Sequence, residues 1–155
     1  MIRRTLIGAV VATALIATAQ PTTAASSTHP PRTEVVITFD LAFQPDGTAA
    51  GHFAAAGAVS DAGPAEATPR VVPLHGTVGR LTGDLVLHGH AGQMTWSFSG
   101  ITYPLGAPRA IGRGSARLES GTGEYSRGEG HGHFLTVADF VSGDVSGSIQ
   151  ASFER

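Results

Sequence analysis

The residues in this chain best suited to chemistry are histidines. They occur in two copies of one pattern, His88-Gly89-His90 and His131-Gly132-His133. On an extended strand, positions i and i+2 point the same way and lie about 6.5–7 Å apart. Two such pairs on neighbouring strands could present four imidazoles to one metal ion, so His88, His90, His131 and His133 form a weak candidate metal set. Alternation sets His88 and His90 opposite Leu85, Leu87 and Gly89 and therefore outward. It sets His131 and His133 with Leu135 and Val137, which predicts that they face inward. Glu129 falls in the same phase as His131 and His133. A carboxylate beside an imidazole can orient it as a general acid or base, which makes these three the candidate catalytic group. The residues equally fit a rim of solvated side chains with no catalytic role.

Other chemistries are excluded by composition. The 155 residues include no cysteine and no lysine; all ten basic residues are arginine. There is therefore no thiolate nucleophile, Cys zinc site, iron–sulfur ligand set or disulfide framework. The formal net charge is −2, or −4 once Arg3 and Arg4 are discounted, which rules out a strongly basic nucleic-acid binder. No Ser occupies a G-x-S-x-G elbow, and Gly121-Thr122-Gly123 lacks the lysine of a phosphate loop. No cofactor is implied.

Positioning the histidines requires strands. After residue 33 no stretch keeps apolar residues at helical spacing, whereas period-two alternation recurs. Val35, Ile37, Phe39, Leu41 and Phe43 share one face of Glu34–Phe43, and Gln44-Pro45-Asp46-Gly47 has the composition of a turn. Gly51–Val59 is the next strand, and the Pro- and Ala-rich Ser60–Pro69 reads as a loop. Val71–Leu81 and Thr82–His90 read as two strands meeting near Gly83. Gln93–Ile101 places Met94, Trp96 and Phe98 on one face, and Ala110–Glu119 alternates Gly112, Gly114 and Ala116 with arginine and serine. Gly132–Ala138 and a strand from Val141 to Phe153 complete the set. Val35, Ile37, Phe39, Met94, Trp96, Phe98, Val145, Ile149 and Phe153 are the expected core. About eight short strands without helices predict an all-β fold, an antiparallel up-and-down barrel or a sandwich; strand glycines and the need to bury edges favour the barrel.

Before this domain lies an export pattern. Arg3 and Arg4, an apolar run from Leu6 to Ala19 and the small residues Thr22–Ala25 predict a secretory signal over residues 1–25, a lead-in over 26–33 and one domain over 34–155. The expected location is extracellular. The apolar run is shorter than the roughly 20 residues of a spanning helix, so no membrane insertion is expected after cleavage.

Gly121-Thr122-Gly123-Glu124-Tyr125-Ser126-Arg127-Gly128-Glu129-Gly130 has the form G-[ST]-G-x-aromatic-x4-G. It resembles the segment shared by dirigent proteins and allene oxide cyclases, and Gly51–Gly63 resembles secreted bacterial proteins grouped with them. The resemblance implies an eight-stranded antiparallel barrel with a central cavity. It also implies two activities for such a cavity: holding a small apolar molecule, or moulding a reactive substrate as a cofactor-free cyclase or isomerase. A filled barrel with a structural or interaction role is the third reading. The sequence departs from dirigent proteins at Glu129, where arginine is common, and in lacking their cysteines.

Small inward residues predict a lumen open on one side. Its expected ligand-binding residues are Trp96, Gly114 and Tyr125 in the wall, with His131 and His133 at a polar end. The expected partner is a small apolar molecule, not nucleic acid; nothing in the residues sets an oligomeric state.

Overall fold

Eight strands follow one another in chain order, each antiparallel to the last, and the eighth pairs with the first to close a barrel. The computed structural model describes residues 33–154. The expected signal and most of the lead-in fall in residues 1–32, outside the described residues. The strands are β1 Thr33–Phe43, β2 Ala49–Gly57, β3 Asp61–His75, β4 Val78–His88, β5 Gln93–Pro104, β6 Arg109–Gly121, β7 Glu129–Asp139 and β8 Asp144–Glu154. A single 3₁₀ turn, Gly123–Tyr125, lies between β6 and β7. Closure gives every strand two neighbours, so no strand is an edge along its whole length.

Meander order sorts the connections into two ends. The turns after β1, β3, β5 and β7 gather at one end, and those after β2, β4 and β6 gather at the other. The β1–β2 turn follows its sequence chemistry. Gly47 takes φ +87°, which a side chain would strain, and Asp46 Oδ1 accepts from Thr48 N at 3.0 Å and Thr48 Oγ1 at 2.7 Å.

The core is the lumen. Every one of the nine expected core residues is buried or packs against the buried cluster. Trp96, Tyr125, Ile37, Leu87 and Met94 are among the largest fully buried side chains. They fill the half of the barrel nearer the second end.

Three expectations about the strands need correction. Ser60–Pro69 is not a loop, because Asp61–His75 is one continuous strand. Its prolines lie where the strand bonds on one side only: Pro64 pairs with His52 of β2, while Pro69 and Pro73 pair with Gly83 and Gly79 of β4. A missing N–H costs little where no ladder needs it. Gly83 marks no turn; it lies inside β4, and a Cβ there would come within 2.7 Å of Phe98 Cζ. The glycine is a seat for the phenyl ring. Val141 belongs to the β7–β8 turn, 83% exposed, and the last strand starts at Asp144.

Candidate functional site

The first end of the barrel opens into a cavity of about 450 Å³. The volume falls within the roughly 300–1,000 Å³ of small-molecule sites. Its deepest walls are Phe39, Leu85, Phe98, Phe134 and Ile149, and its upper walls include the small residues Ala49, Ala67, Ala110, Gly112 and Ala138. The cavity arises where small inward residues from β2, β3, β6 and β7 fail to meet across the lumen. Ala110 and Ala138 stand directly opposite each other in the β6–β7 register.

Among the described residues, the lining contains no ionisable side chain. Gln44, Thr102 and Thr136 supply its polar side chains, and Gln44 Nε2 already donates to Ala42 O at 3.1 Å. Such a wall can exclude water and bury an apolar ligand. It offers no group to give or take a proton.

Aromatic rings shape both floor and mouth. Phe98 and Phe134 meet at 5.5 Å with their planes tilted by 58°. At the mouth, Phe140 of the β7–β8 turn stacks on Phe43, the ring centroids 6.2 Å apart. The turn that carries Phe140 is tied down by Phe140 N donating to Pro108 O at 3.2 Å and Phe43 N to Gly143 O at 2.8 Å. Phe140 therefore overhangs the opening, exposed on one side and lining the cavity on the other.

The opposite end is sealed by a carboxylate that sequence reasoning missed. Asp61, 9% exposed, accepts four hydrogen bonds. Oδ1 receives Ala62 N at 2.8 Å and His90 N at 2.9 Å; Oδ2 receives the Tyr125 hydroxyl at 2.7 Å and Ala91 N at 3.3 Å. Burial works against the charge, but the bonds from Tyr125 and the three backbone N–H groups outweigh it and hold the carboxyl below its ordinary 3.8. A Cβ at Gly89 would overlap this carboxylate. The working part of His88-Gly89-His90 is thus its backbone: a bare glycine beneath Asp61 and the His90 N–H on it. No sequence signal marked Asp61, which sits among the prolines and alanines of β3.

The expected site residues are dispersed. Trp96 is fully buried beside Leu85 and Leu118 of the flanking strands and is not in the cavity wall. Tyr125 is buried at the sealed end, its ring edge-on to Phe153 at 6.2 Å. Gly114 faces the lumen below the wall, where a Cβ would meet Phe134 Cε1 at 2.8 Å and the β5 backbone more closely still. A larger side chain there would break the barrel wall rather than fill the cavity.

Glu129, His131 and His133 are exposed on the outer face of β7, so the inward phase expected for them is corrected. The residues that point inward are Gly130, Gly132, Phe134, Thr136 and Ala138, with Phe134 opposite Ile149. Two glycines concealed the phase. Gly130 is inward because the Trp96 ring covers it, with Cη2 2.8 Å from where a Cβ would stand. His88 and His90 are exposed, as expected, and lie on the β4 side with β5 and β6 between them and β7. The two histidine pairs are not brought together, and among the described residues no three His, Asp or Glu side chains gather as a metal site.

Comparisons with family models, with curated proteins and with solved structures found no match to this chain.

Proposed function

We propose that this protein is an exported binding module that holds one small apolar, uncharged molecule in the open half of its barrel. The observation that carries the reading is a blind cavity of about 450 Å³ whose lining, among the described residues, has no ionisable side chain. Burial of apolar ligand surface is worth about 25 cal/mol per Å² before the costs of association, so a molecule matched to this wall gains affinity without polar anchors. Gln44, Thr102 and Thr136 leave room for one polar group on the ligand. The likeness of Gly121–Gly130 to dirigent proteins and allene oxide cyclases agrees with a barrel that encloses an apolar compound. A wall without a proton donor or acceptor favours holding the compound over cyclising it by acid–base chemistry.

The test is a neutral fluorescent probe, N-phenyl-1-naphthylamine, titrated into the purified domain. Ala110→Trp puts an indole into the mouth beside Ala138 and should weaken probe binding at least tenfold. His88→Ala, on the outer face, should leave it unchanged. A parent that does not bind the probe, or an Ala110→Trp variant that binds like the parent, would overturn the proposal.

A further inference from the structure

We infer that one outer face of the barrel, running from β3 to β7 and up to the mouth, docks on an anionic lipid surface. The observation is a charge asymmetry in a chain that is acidic overall. Residues 69–118 contain Arg70, Arg80, Arg109, Arg113 and Arg117 against the single acid Asp84. Elsewhere among the described residues Arg127 is the one arginine against eleven carboxylates; Asp61 and Glu66 open β3, Glu119 closes β6, and Asp139 of β7 pairs with Arg109. The outer wall from β3 to β6 is therefore basic toward the mouth, where Arg70, Arg80, Arg109 and Arg113 lie.

The basic side is also apolar. Strand register aligns Val72, Arg80, Ile101, Arg113 and Leu135 in one row across five consecutive strands. The three apolar members of the row are exposed by 43%, 44% and 47% respectively. Apolar and arginine side chains alternate along it, and no carboxylate shares it. Arg113 lies over the Tyr103 ring at 5.3 Å from its centroid, which holds the guanidinium against the wall. Toward the mouth the patch continues onto the tips of two adjacent hairpins, where Leu74 and Leu105 are each half exposed.

This combination selects the partner. A nucleic acid would satisfy the arginines but strand Val72, Ile101, Leu74 and Leu105 against its phosphates. A bilayer surface offers phosphate and hydrocarbon at once, stacked in depth, so that the hairpin tips can enter it while the guanidinium groups stay with the headgroups. Docking in this pose sets the mouth against the lipid. Taken with the cavity reading, on which this step rests, the lipid phase becomes the source of the ligand.

Flotation with vesicles of phosphatidylcholine and phosphatidylglycerol at 7:3, and with phosphatidylcholine alone, tests the inference. The parent should bind the mixed vesicles more tightly than the neutral ones and should be released by high salt. Arg80→Gln/Arg113→Gln should bind the mixed vesicles about 25-fold more weakly, roughly fivefold per arginine. Leu74→Ser/Leu105→Ser should lose roughly tenfold per leucine. All four positions are exposed, and circular dichroism verifies the barrel in each variant. Equal binding to both vesicles, binding to neither, or mixed-vesicle binding unchanged in Arg80→Gln/Arg113→Gln would overturn the inference. So would tight binding to heparin together with vesicle binding that Leu74→Ser/Leu105→Ser leaves unchanged. Probe binding in lipid-free buffer is read in parallel: retained probe binding with no flotation defeats docking alone, and flotation without probe binding defeats the cavity reading alone.

Discussion

Tyr125→Phe isolates the bond that seals the blind end of the barrel. The substitution keeps the ring that meets Phe153 edge-on and removes the one hydroxyl, which donates to Asp61 Oδ2 at 2.7 Å. Neither group is exposed to competing water: Tyr125 is 1% and Asp61 9% accessible. A hydrogen bond to a charged acceptor contributes about 1.5–3 kcal/mol, and this one is short and charge-assisted. Three backbone N–H donors remain on the carboxylate, so the charge is not abandoned. The expected loss is about 2 kcal/mol at neutral pH, on the order of 8 °C in Tm for a domain of this size.

The pH dependence gives this prediction its discriminating power. The carboxyl of Asp61 is held below 3.8 in the folded state. Its contribution is therefore complete above the unfolded value and is lost as pH falls through the lower folded value. The cost of Tyr125→Phe should be constant from neutral pH down to about 4 and should shrink below it as Asp61 takes up a proton. Urea unfolding followed by the fluorescence of Trp96, the single tryptophan, reads both quantities. In an Asp61→Asn background the cost should fall to about 1 kcal/mol, the value of a neutral hydrogen bond. A loss under about 0.5 kcal/mol at pH 7, or an equal loss in the Asp61→Asn background, would refute the claim that a charged bond closes this end.

Two further outcomes follow from burial. Trp96→Ala removes a fully buried indole packed over Gly130 and should cost about 3–5 kcal/mol in a denaturant titration followed by circular dichroism; a loss below about 1 kcal/mol would place the ring outside the core. His131→Ala/His133→Ala alters the exposed outer face and should change stability by no more than about 0.5 kcal/mol while leaving probe binding intact. Loss of probe binding in that variant would show that the histidines reach the ligand after all.

Strand alternation made most of the architecture legible, because a closed barrel buries one face of each strand and exposes the other. Val35, Ile37 and Phe39 on β1, and Met94, Trp96 and Phe98 on β5, declare their inward face through bulk alone. Legibility failed where bulk and direction separate. On β7 the inward positions include Gly130 and Gly132, while Leu135 and Val137 lie outward, so a count of apolar side chains selects the wrong phase. On β3, Pro64 and Pro69 resemble a loop until the staggered register shows that each has a ladder on one side only. The site suffered most, since the residues that looked chemical are solvated and the cavity is built from phenylalanine, aliphatic and small side chains. Asp61 was hidden for a further reason: its role depends on Tyr125, which lies 64 residues away in sequence.

The same glycines explain why the barrel is solid at one end and hollow at the other. An eight-stranded barrel is just wide enough for its side chains to fill it, or for one ligand to take their place. This chain has few rings, with seven Phe, two Tyr and one Trp, and it sets the ends of several of them against inward glycines. The Trp96 ring covers Gly130, Phe98 covers Gly83, and Phe39 Cζ stands 2.6 Å from where a Cβ of Gly147 would be. A ring lying across a bare strand spans more of the lumen than one held off by a side chain, so each such pair closes part of the floor. Farther up, the inward residues Ala49, Ala67, Ala110 and Ala138 are small, and there the space stays empty. The cavity boundary is therefore set by where ring-over-glycine pairing stops. The inward glycines are as much a part of the binding site as its lining, because a side chain at Gly130 or Gly83 would lift the ring above it toward the ligand's space.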